Sequence, residues 1–194
     1  MLDNLSEYRV LLASKSPRRR ELLSQLAVPF EIITAEGIDE SYPADMAADE
    51  IPGYLSVKKS EHFRKLHLKE KDLVITADTL VILGDKILGK PHNYDEAVEI
   101  LKSLSGRVHK VITGVSLTTL GWRKTFSTTT LVKFAEMSEE DIRYYVEHYS
   151  PYDKAGAYAI QGHAALWCAG IEGCYYNIMG LPVHRTAQLL REFT

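Results

Sequence analysis

Cysteine is scarce in this chain. Of 194 residues two are cysteines, Cys168 and Cys174, and they form neither a CxxC pair nor a ligand spacing with histidine. A disulfide framework and a thiolate metal centre are thereby excluded, neither cysteine stands in a nucleophile context, and both read as reduced residues of buried strands. The seven histidines are scattered, with no HExxH or comparable pair, so each, His163 included, is expected at the surface or satisfied internally rather than on zinc. No apolar run approaches a membrane span, and Met1 to Val10 is polar and charged, unlike a secretory leader. A cytoplasmic protein with no membrane partner is expected. Neither sign of charge is in large excess: the formal net charge is −3, which argues against a general nucleic-acid coat and requires any polyanion site to be a local cluster of cations. Repeats, low-complexity tracts and linkers rich in Pro, Gly or Ser are also missing. With an ordinary 45% of hydrophobic residues, the expectation is a single domain over residues 1–194, with two lobes around a cleft left open.

What is present alternates between strand-like and helix-like segments, the pattern of an α/β protein. Val10 to Ala13 reads as a strand, followed by a helix with Ser16 as N-cap and Pro17 at its first position. Phe30 to Thr34 is a second strand, Pro52 opens a helix to about Leu66, and Leu73 to Ala77 has the unbroken apolar character of a central strand. Gly84-Asp85 marks a hairpin between Leu80–Leu83 and Ile87-Leu88. Asn93 and Glu96 form a capping box before a helix with Ala97, Val98, Leu101 and Leu104 on one face. Val108 to Leu120 and Thr125 to Phe134 suggest a long hairpin turning at Gly121-Trp122. Ser138 caps a helix carrying Ile142, Tyr145, Val146 and Tyr149, two short strands flank Glu172-Gly173, and a last helix follows Pro182. The pairs Tyr144-Tyr145 and Tyr175-Tyr176 read as core or strand packing rather than as a base-stacking platform. The resulting picture is an elongated, twisted, mixed β-sheet flanked by helices, with a central cleft.

Polar groups gather where these elements end. The turn from Ser14 to Arg19 offers helix N-terminal N–H groups and two arginines, a natural anion site, although cations at a helix N-terminus cost stability. Asp39-Glu40 follows the second strand. In Thr76-Ala77-Asp78-Thr79 a carboxylate interrupts an apolar strand, and Gly89-Lys90-Pro91 comes soon after. Asp153 to Gly162 is a glycine-punctuated loop. A carboxylate at the end of a buried strand is costly unless a cation or several donors stand beside it, so Asp78 points to a functional cleft, with a structural cap as the bland alternative. With Glu40 it could hold Mg²⁺ and orient or deprotonate a water, while Arg18, Arg19, Lys59 and Lys90 neutralise phosphate oxygens.

Nine segments then fall in one order: Ser14-Lys15-Ser16-Pro17-Arg18-Arg19, Asp39-Glu40, Ala77-Asp78-Thr79, Gly89-Lys90-Pro91, Ser105-Gly106, Thr113-Gly114, Asp153-Lys154-Ala155-Gly156-Ala157-Tyr158, Ile160-Gln161-Gly162 and Gly180-Leu181-Pro182. Together they resemble the Maf family of nucleoside triphosphate pyrophosphatases over nearly the whole chain. The resemblance implies a fold related to the inosine triphosphate pyrophosphatases, commonly dimeric, and a divalent-metal enzyme (Mg²⁺ or Mn²⁺) that cleaves a nucleoside triphosphate between its α and β phosphates. It implies Asp78 as proton acceptor, Asp78 and Glu40 at the metal, and Ser14, Arg19, Lys59 and Lys90 along the phosphates. Two departures stand out. Lys58-Lys59 is followed by Ser60 where the family has alanine, which leaves Lys58 open as the functional lysine, and Gly162-His163-Ala164-Ala165 is poorer in glycine than the family pattern.

The resemblance further implies which base is read. Arg18, Thr79 and Gln161 match the branch acting on dTTP and UTP, where a sister branch acting on 7-methylguanosine triphosphate carries Trp, Gln and Glu. A neutral Gln amide offers donor and acceptor to the N3–H and carbonyl edge of uracil or thymine, whereas a carboxylate suits guanine. The expected protein is therefore a homodimeric dTTP/UTP pyrophosphatase with a nucleotide as its partner and no stable nucleic acid. Two other classes compete: a non-enzymatic nucleotide- or nucleic-acid-binding regulator of cell division, and a phosphatase releasing one phosphate at a time. A binder has little use for carboxylates beside phosphates unless a metal intervenes.

Overall fold

The computed structural model describes residues 2–66 and 68–193. Met1 and Thr194, the ends of the expected 1–194 domain, lie outside the described residues, as does His67, one of the seven histidines. Seven strands form a mixed sheet flanked by helices, in the order β2-β1-β3-β5-β6-β7 with β4 paired to β3. The strands are β1 (Arg9–Ala13), β2 (Phe30–Ile33), β3 (Asp72–Leu83), β4 (Lys86–Leu88), β5 (Val108–Thr118), β6 (Arg123–Phe134) and β7 (Cys168–Glu172). The helices are α1 (Pro17–Ser24), α2 (Ile51–Leu66), α3 (Tyr94–Leu104), α4 (Glu139–Tyr149), α5 (Tyr175–Ile178) and α6 (Val183–Arg191). No helix among the described residues is long and apolar enough to cross a membrane.

The chain divides into two compact units. The first comprises residues 1–78, 113–128 and 180–194. In it β1 pairs in parallel with both β2 (Val10 opposite Phe30) and β3 (Val10 opposite Leu73). A strand between two parallel neighbours is apolar on both faces, which is why Val10, Leu11 and Leu12 are all buried. Leu11, Phe63 and Val74 form a core against which Ala13, Ile33, Ala35, Ile38 and Leu68 pack. Asn4 joins the last turn of α6 to the segment beyond it: its amide donates to Leu190 O at 2.8 Å, an acceptor that a helix end leaves unpaired, and to Phe193 O at 2.6 Å.

The second unit comprises residues 79–112 and 129–179. The β3–β4 hairpin turns through Gly84, whose φ of +60° suits glycine. β7 runs antiparallel to β6. At its centre His109, Phe134 and Tyr158 meet edge to face with ring centroids 4.9 to 5.5 Å apart. His109 Nε2 lies 2.8 Å from the Tyr158 hydroxyl, but its Nδ1 is buried with no hydrogen-bond partner. Internal satisfaction, expected for a buried histidine, is thus only half met here. His163 does bond internally, through Nδ1 to the Tyr149 hydroxyl at 3.2 Å, with the two rings stacked.

Local signals set the helix starts. Ser16 Oγ accepts the Arg19 N–H at 3.4 Å, Asn93 Oδ1 accepts the Glu96 N–H at 2.9 Å, and Ser138 Oγ accepts the Asp141 N–H at 3.0 Å. The expected capping box at Asn93 is displaced by one residue on its return arm: Glu96 takes the His92 N–H at 2.8 Å.

Three expectations are corrected. The expected strands Leu73–Ala77 and Leu80–Leu83 are one: β3 runs unbroken through Asp78, whose carboxylate accepts from Lys59. Of the two short strands expected around Glu172-Gly173, one forms, β7, which ends at Glu172. Gly173 turns with φ +122°, Thr130 Oγ1 accepts the Cys174 N–H and donates to the Cys174 carbonyl, and the four-residue α5 replaces the second strand. Consequently Tyr175 and Tyr176 are exposed, as is Tyr144 beside the buried Tyr145, and both cysteines are free thiols of intermediate exposure rather than buried-strand residues.

Candidate active site

Six of the expected site residues, Ser14, Arg18, Arg19, Glu40, Lys59 and Asp78, belong to the first unit; Thr79, Lys90 and Gln161 belong to the second. The geometry at the heart of the first unit is a lysine between two acids. Lys59 Nζ donates to Asp78 Oδ1 at 2.6 Å and lies 2.9 Å from Glu40 Oε1. The Lys59 and Asp78 side chains are 14% and 13% exposed, whereas Glu40 is 61% exposed. The inner pair is therefore nearly desolvated, and each ion makes the other's burial tolerable. Asp78 is held by a sheet strand and Lys59 by the third turn of α2, both regular elements that fix side-chain direction.

The neighbouring lysine goes elsewhere. Lys58 Nζ donates to Asp39 Oδ2 at 2.6 Å and to the Ser41 carbonyl at 2.7 Å, on the exposed side. Lys58, together with the Ser41 N–H and hydroxyl, holds the Asp39 carboxyl well below the usual carboxylate range. Of the two lysines left open by the sequence, Lys59 is the one the helix turns toward Asp78.

Arg19 closes the group. Its Nε donates to the Gly180 carbonyl at 2.8 Å. Burial lowers its pKa, the positive charge of Arg18 adds to that, and the carboxylates of Asp78 and Glu40 oppose it; an arginine remains charged throughout. Gly180, flagged by the sequence only as part of Gly180-Leu181-Pro182, thus supplies the acceptor that orients this guanidinium, at a φ of +106° that favours glycine. Ser14 Oγ accepts the Ser16 N–H at 3.1 Å and so shapes the turn before α1. Arg18 is half-buried and Arg20 exposed.

In the second unit, Thr79 follows Asp78 along β3 and is half-buried, Lys90 is exposed beyond β4, and Gln161 is exposed in the turn after Ile160. The Gly89 carbonyl, next to Lys90, accepts the Gly156 N–H at 3.1 Å. Gly156 (φ +70°) and Ala157 (φ +57°) are both left-handed, and a Cβ at Gly156 would come within 3.0 Å of Val81. The Asp153 to Gly162 segment is accordingly not open loop; short 3₁₀ turns at Pro151–Asp153 and Ala155–Ala157 hold it.

Among the described residues no group of three or more His, Cys, Asp or Glu side chains stands ready for a metal ion. Two carboxylates, Glu40 and Asp78, both lie within ion-pair distance of the Lys59 ammonium. Mg²⁺ is commonly bound by one or two carboxylates with substrate phosphates and water completing the set, and Glu40 with Asp78 fits that donor set.

Comparison with known proteins settles the lineage. The Maf-like protein family model matches residues 9–193. The chain belongs to the Maf family. It is 50% identical over 186 residues to the dTTP/UTP pyrophosphatase of Bacteroides thetaiotaomicron, covering 95% of this chain and 96% of that relative. It is 47% identical over 197 residues to the dTTP/UTP pyrophosphatase of Porphyromonas gingivalis, covering 100% and 98%. A solved HAM1 protein from Coxiella burnetii resembles this Maf protein with a TM-score of 0.52 at 13% identity, over 95% of this chain and 99% of that one. That last likeness concerns the fold alone.

Proposed function

We propose that this Maf-family protein is a nucleoside triphosphate pyrophosphatase that hydrolyses dTTP and UTP to the nucleoside monophosphate and pyrophosphate. Support comes from relatives of that name at near full coverage. The observation that carries the chemistry is Lys59 held between Asp78 and Glu40, with Arg19 subject to the charge of both acids.

In this reading Asp78 accepts a proton from the water whose oxygen attacks the α-phosphorus. The bond from that phosphorus to the α–β bridging oxygen breaks, and the bridging oxygen leaves with pyrophosphate. Lys59 and Arg19 lower the cost of charge moving onto that leaving group, and Ser14 and Lys90 hold further phosphate oxygens. Glu40 and Asp78 would hold a divalent ion, Mg²⁺ or Mn²⁺, which supplies Lewis-acid polarisation of the phosphoryl oxygens. Arg18, Thr79 and Gln161 read the base. The protein works in the cytoplasm as a homodimer, the second point being open to light scattering.

Incubation with a panel of nucleoside triphosphates and Mg²⁺ or Mn²⁺, read out as pyrophosphate, tests the proposal. Pyrophosphate from dTTP and UTP ahead of the purine triphosphates is expected. Direct release of orthophosphate without added inorganic pyrophosphatase would overturn α–β cleavage. Tight nucleotide binding with no turnover would favour the regulator reading.

A further inference from the structure

Helix α2 meets the sheet of the first unit along a seam of glycine and hydroxyl groups. Gly53, Ser56 and Lys59 recur every three residues and so share one helix face. Opposite them, Gly114 and Ser116 share a face of β5, and Thr76 and Asp78 share a face of β3. At the first step backbone meets backbone: a Cβ on Gly114 would stand 2.3 Å from Gly53 N and from Pro52 C and O. At the second, the Thr76 hydroxyl donates to the Ser56 carbonyl at 2.7 Å, Ser56 Oγ lies 2.8 Å from Ser116 Oγ, and Ser116 Oγ lies 2.8 Å from Thr125 Oγ1. At the third, Lys59 meets Asp78 at 2.6 Å. Ser56, Thr76 and Ser116 are fully buried.

Hydrocarbon would hold a helix to a sheet at least as well, since a buried hydroxyl loses water for a modest net return. Directional bonds supply something hydrocarbon does not, a fixed register. A slip of one residue moves the helix by about 1.5 Å, enough to part Lys59 from Asp78. Thr76 sits two residues before Asp78 and bonds the residue three before Lys59, so its hydroxyl ties the two carriers of the ion pair together one step away.

We propose that Thr76, Ser56 and Ser116 are positioning residues that hold Lys59 against Asp78 for the reaction. The proposal rests on the pyrophosphatase reading for its kinetic consequence, but not for its geometry. Thr76→Val keeps the shape and removes the hydroxyl; Thr76→Ser keeps the hydroxyl. In nucleotide-free protein, the acylation rate of the Lys59 amine by an N-hydroxysuccinimide ester is measured by mass spectrometry, with Lys58 as internal reference. Thr76→Val should raise the Lys59 rate about fivefold, the equivalent of one lost hydrogen bond of about 1 kcal/mol, and leave Lys58 unchanged. With dTTP, kcat should fall by at least about fivefold while KM stays within about twofold, and Thr76→Ser should recover both readouts. A folded Thr76→Val protein with wild-type Lys59 labelling, or a Thr76→Ser protein as impaired as Thr76→Val, would overturn the proposal. If Thr76→Val does not fold, Ser116→Ala is held to the same outcomes. A wild-type protein that releases no pyrophosphate would sink the functional reading, while the labelling ratio would still decide the positioning.

Discussion

The two units treat their polar residues in opposite ways. In the first, three charged groups of the candidate site are partnered and anchored on regular elements: Asp78 on β3, Lys59 on α2, Arg19 on α1 against the Gly180 carbonyl, while Glu40 reaches Lys59 from an exposed connection. In the second, Lys90 and Gln161 stand exposed in connections between elements. The contrast teaches a division of labour. In the proposed reaction, groups that would meet a developing charge at fixed distance are pre-organised on strand and helix, and groups that would adapt to a substrate are left on turns.

The largest effect is expected at the anchored acid. Asp78→Asn keeps the shape, removes the proposed proton acceptor and leaves Lys59 facing an amide, so kcat for pyrophosphate release from dTTP should fall roughly 10²–10⁴-fold. Excess EDTA should abolish the wild-type rate. Full activity in either case would mean that the anchored acid is structural and that the division of labour is misdrawn.

Next comes Arg19. In the proposed reaction its charge meets oxygens that change in the transition state, so Arg19→Ala should lower kcat by about 10–100-fold rather than merely raise KM, and Arg20→Ala should be silent. Steady-state kinetics on the two variants side by side decide the matter. The reverse order would put the wrong face of α1 at the phosphates. Lys90→Ala, in the exposed class, is expected to lower kcat less than Arg19→Ala.

The residue pattern made part of this visible in advance, and what it missed has a physical cause. Caps at Ser16, Asn93 and Ser138 depend on atoms within three residues, so they were legible in sequence and recur in the fold. Asp78 reads in sequence as a break between two strands, because the partner that accompanies its carboxylate within β3, Lys59, is nineteen positions away. Lys58 and Lys59 were indistinguishable for a related reason: one step along a helix turns a side chain by about 100°, and only the packed face says which of them points inward. Tyr175-Tyr176 has strand propensity, but Gly173 and the bonds from Thr130 impose a turn and a short helix. The hydroxyl seam escaped notice because Ser56, Thr76 and Ser116 carry no motif of their own; only tertiary packing brings them together.

Smaller again is the expected change in base preference. Gln161→Glu replaces an amide that can face a uracil carbonyl by an acceptor that repels it, so the kcat/KM ratio of UTP to GTP should fall by about tenfold or more. The absolute rate on the better substrate should change less, because Gln161 lies outside the ion-paired group. Competition assays with both nucleotides in one tube read the ratio directly, and an unchanged ratio would take Gln161 out of base reading while leaving the chemistry of the first unit untouched.

The smallest effect concerns stability, and it arises from a buried ionisable group of the second unit that the proposed reaction does not use. Burial lowers the His109 pKa from its ordinary 6.5 to about 4, because a charged imidazolium would lose its water among Phe134 and Tyr158. The folded state therefore keeps His109 neutral where the unfolded chain protonates it. This contribution is complete above pH 6.5 and is lost as pH falls from there toward about 4. Between pH 6.5 and 5.5 the loss should be about 1 kcal/mol. His109→Gln removes the titration, so its unfolding free energy, from urea melts followed by circular dichroism at several pH values, should fall less steeply than that of the wild type over this interval. Comparing slopes rather than absolute stabilities cancels any packing defect that glutamine introduces. Parallel slopes would mean that His109 titrates alike in both states, and the interior of the second unit would then be wetter than its edge-to-face rings imply.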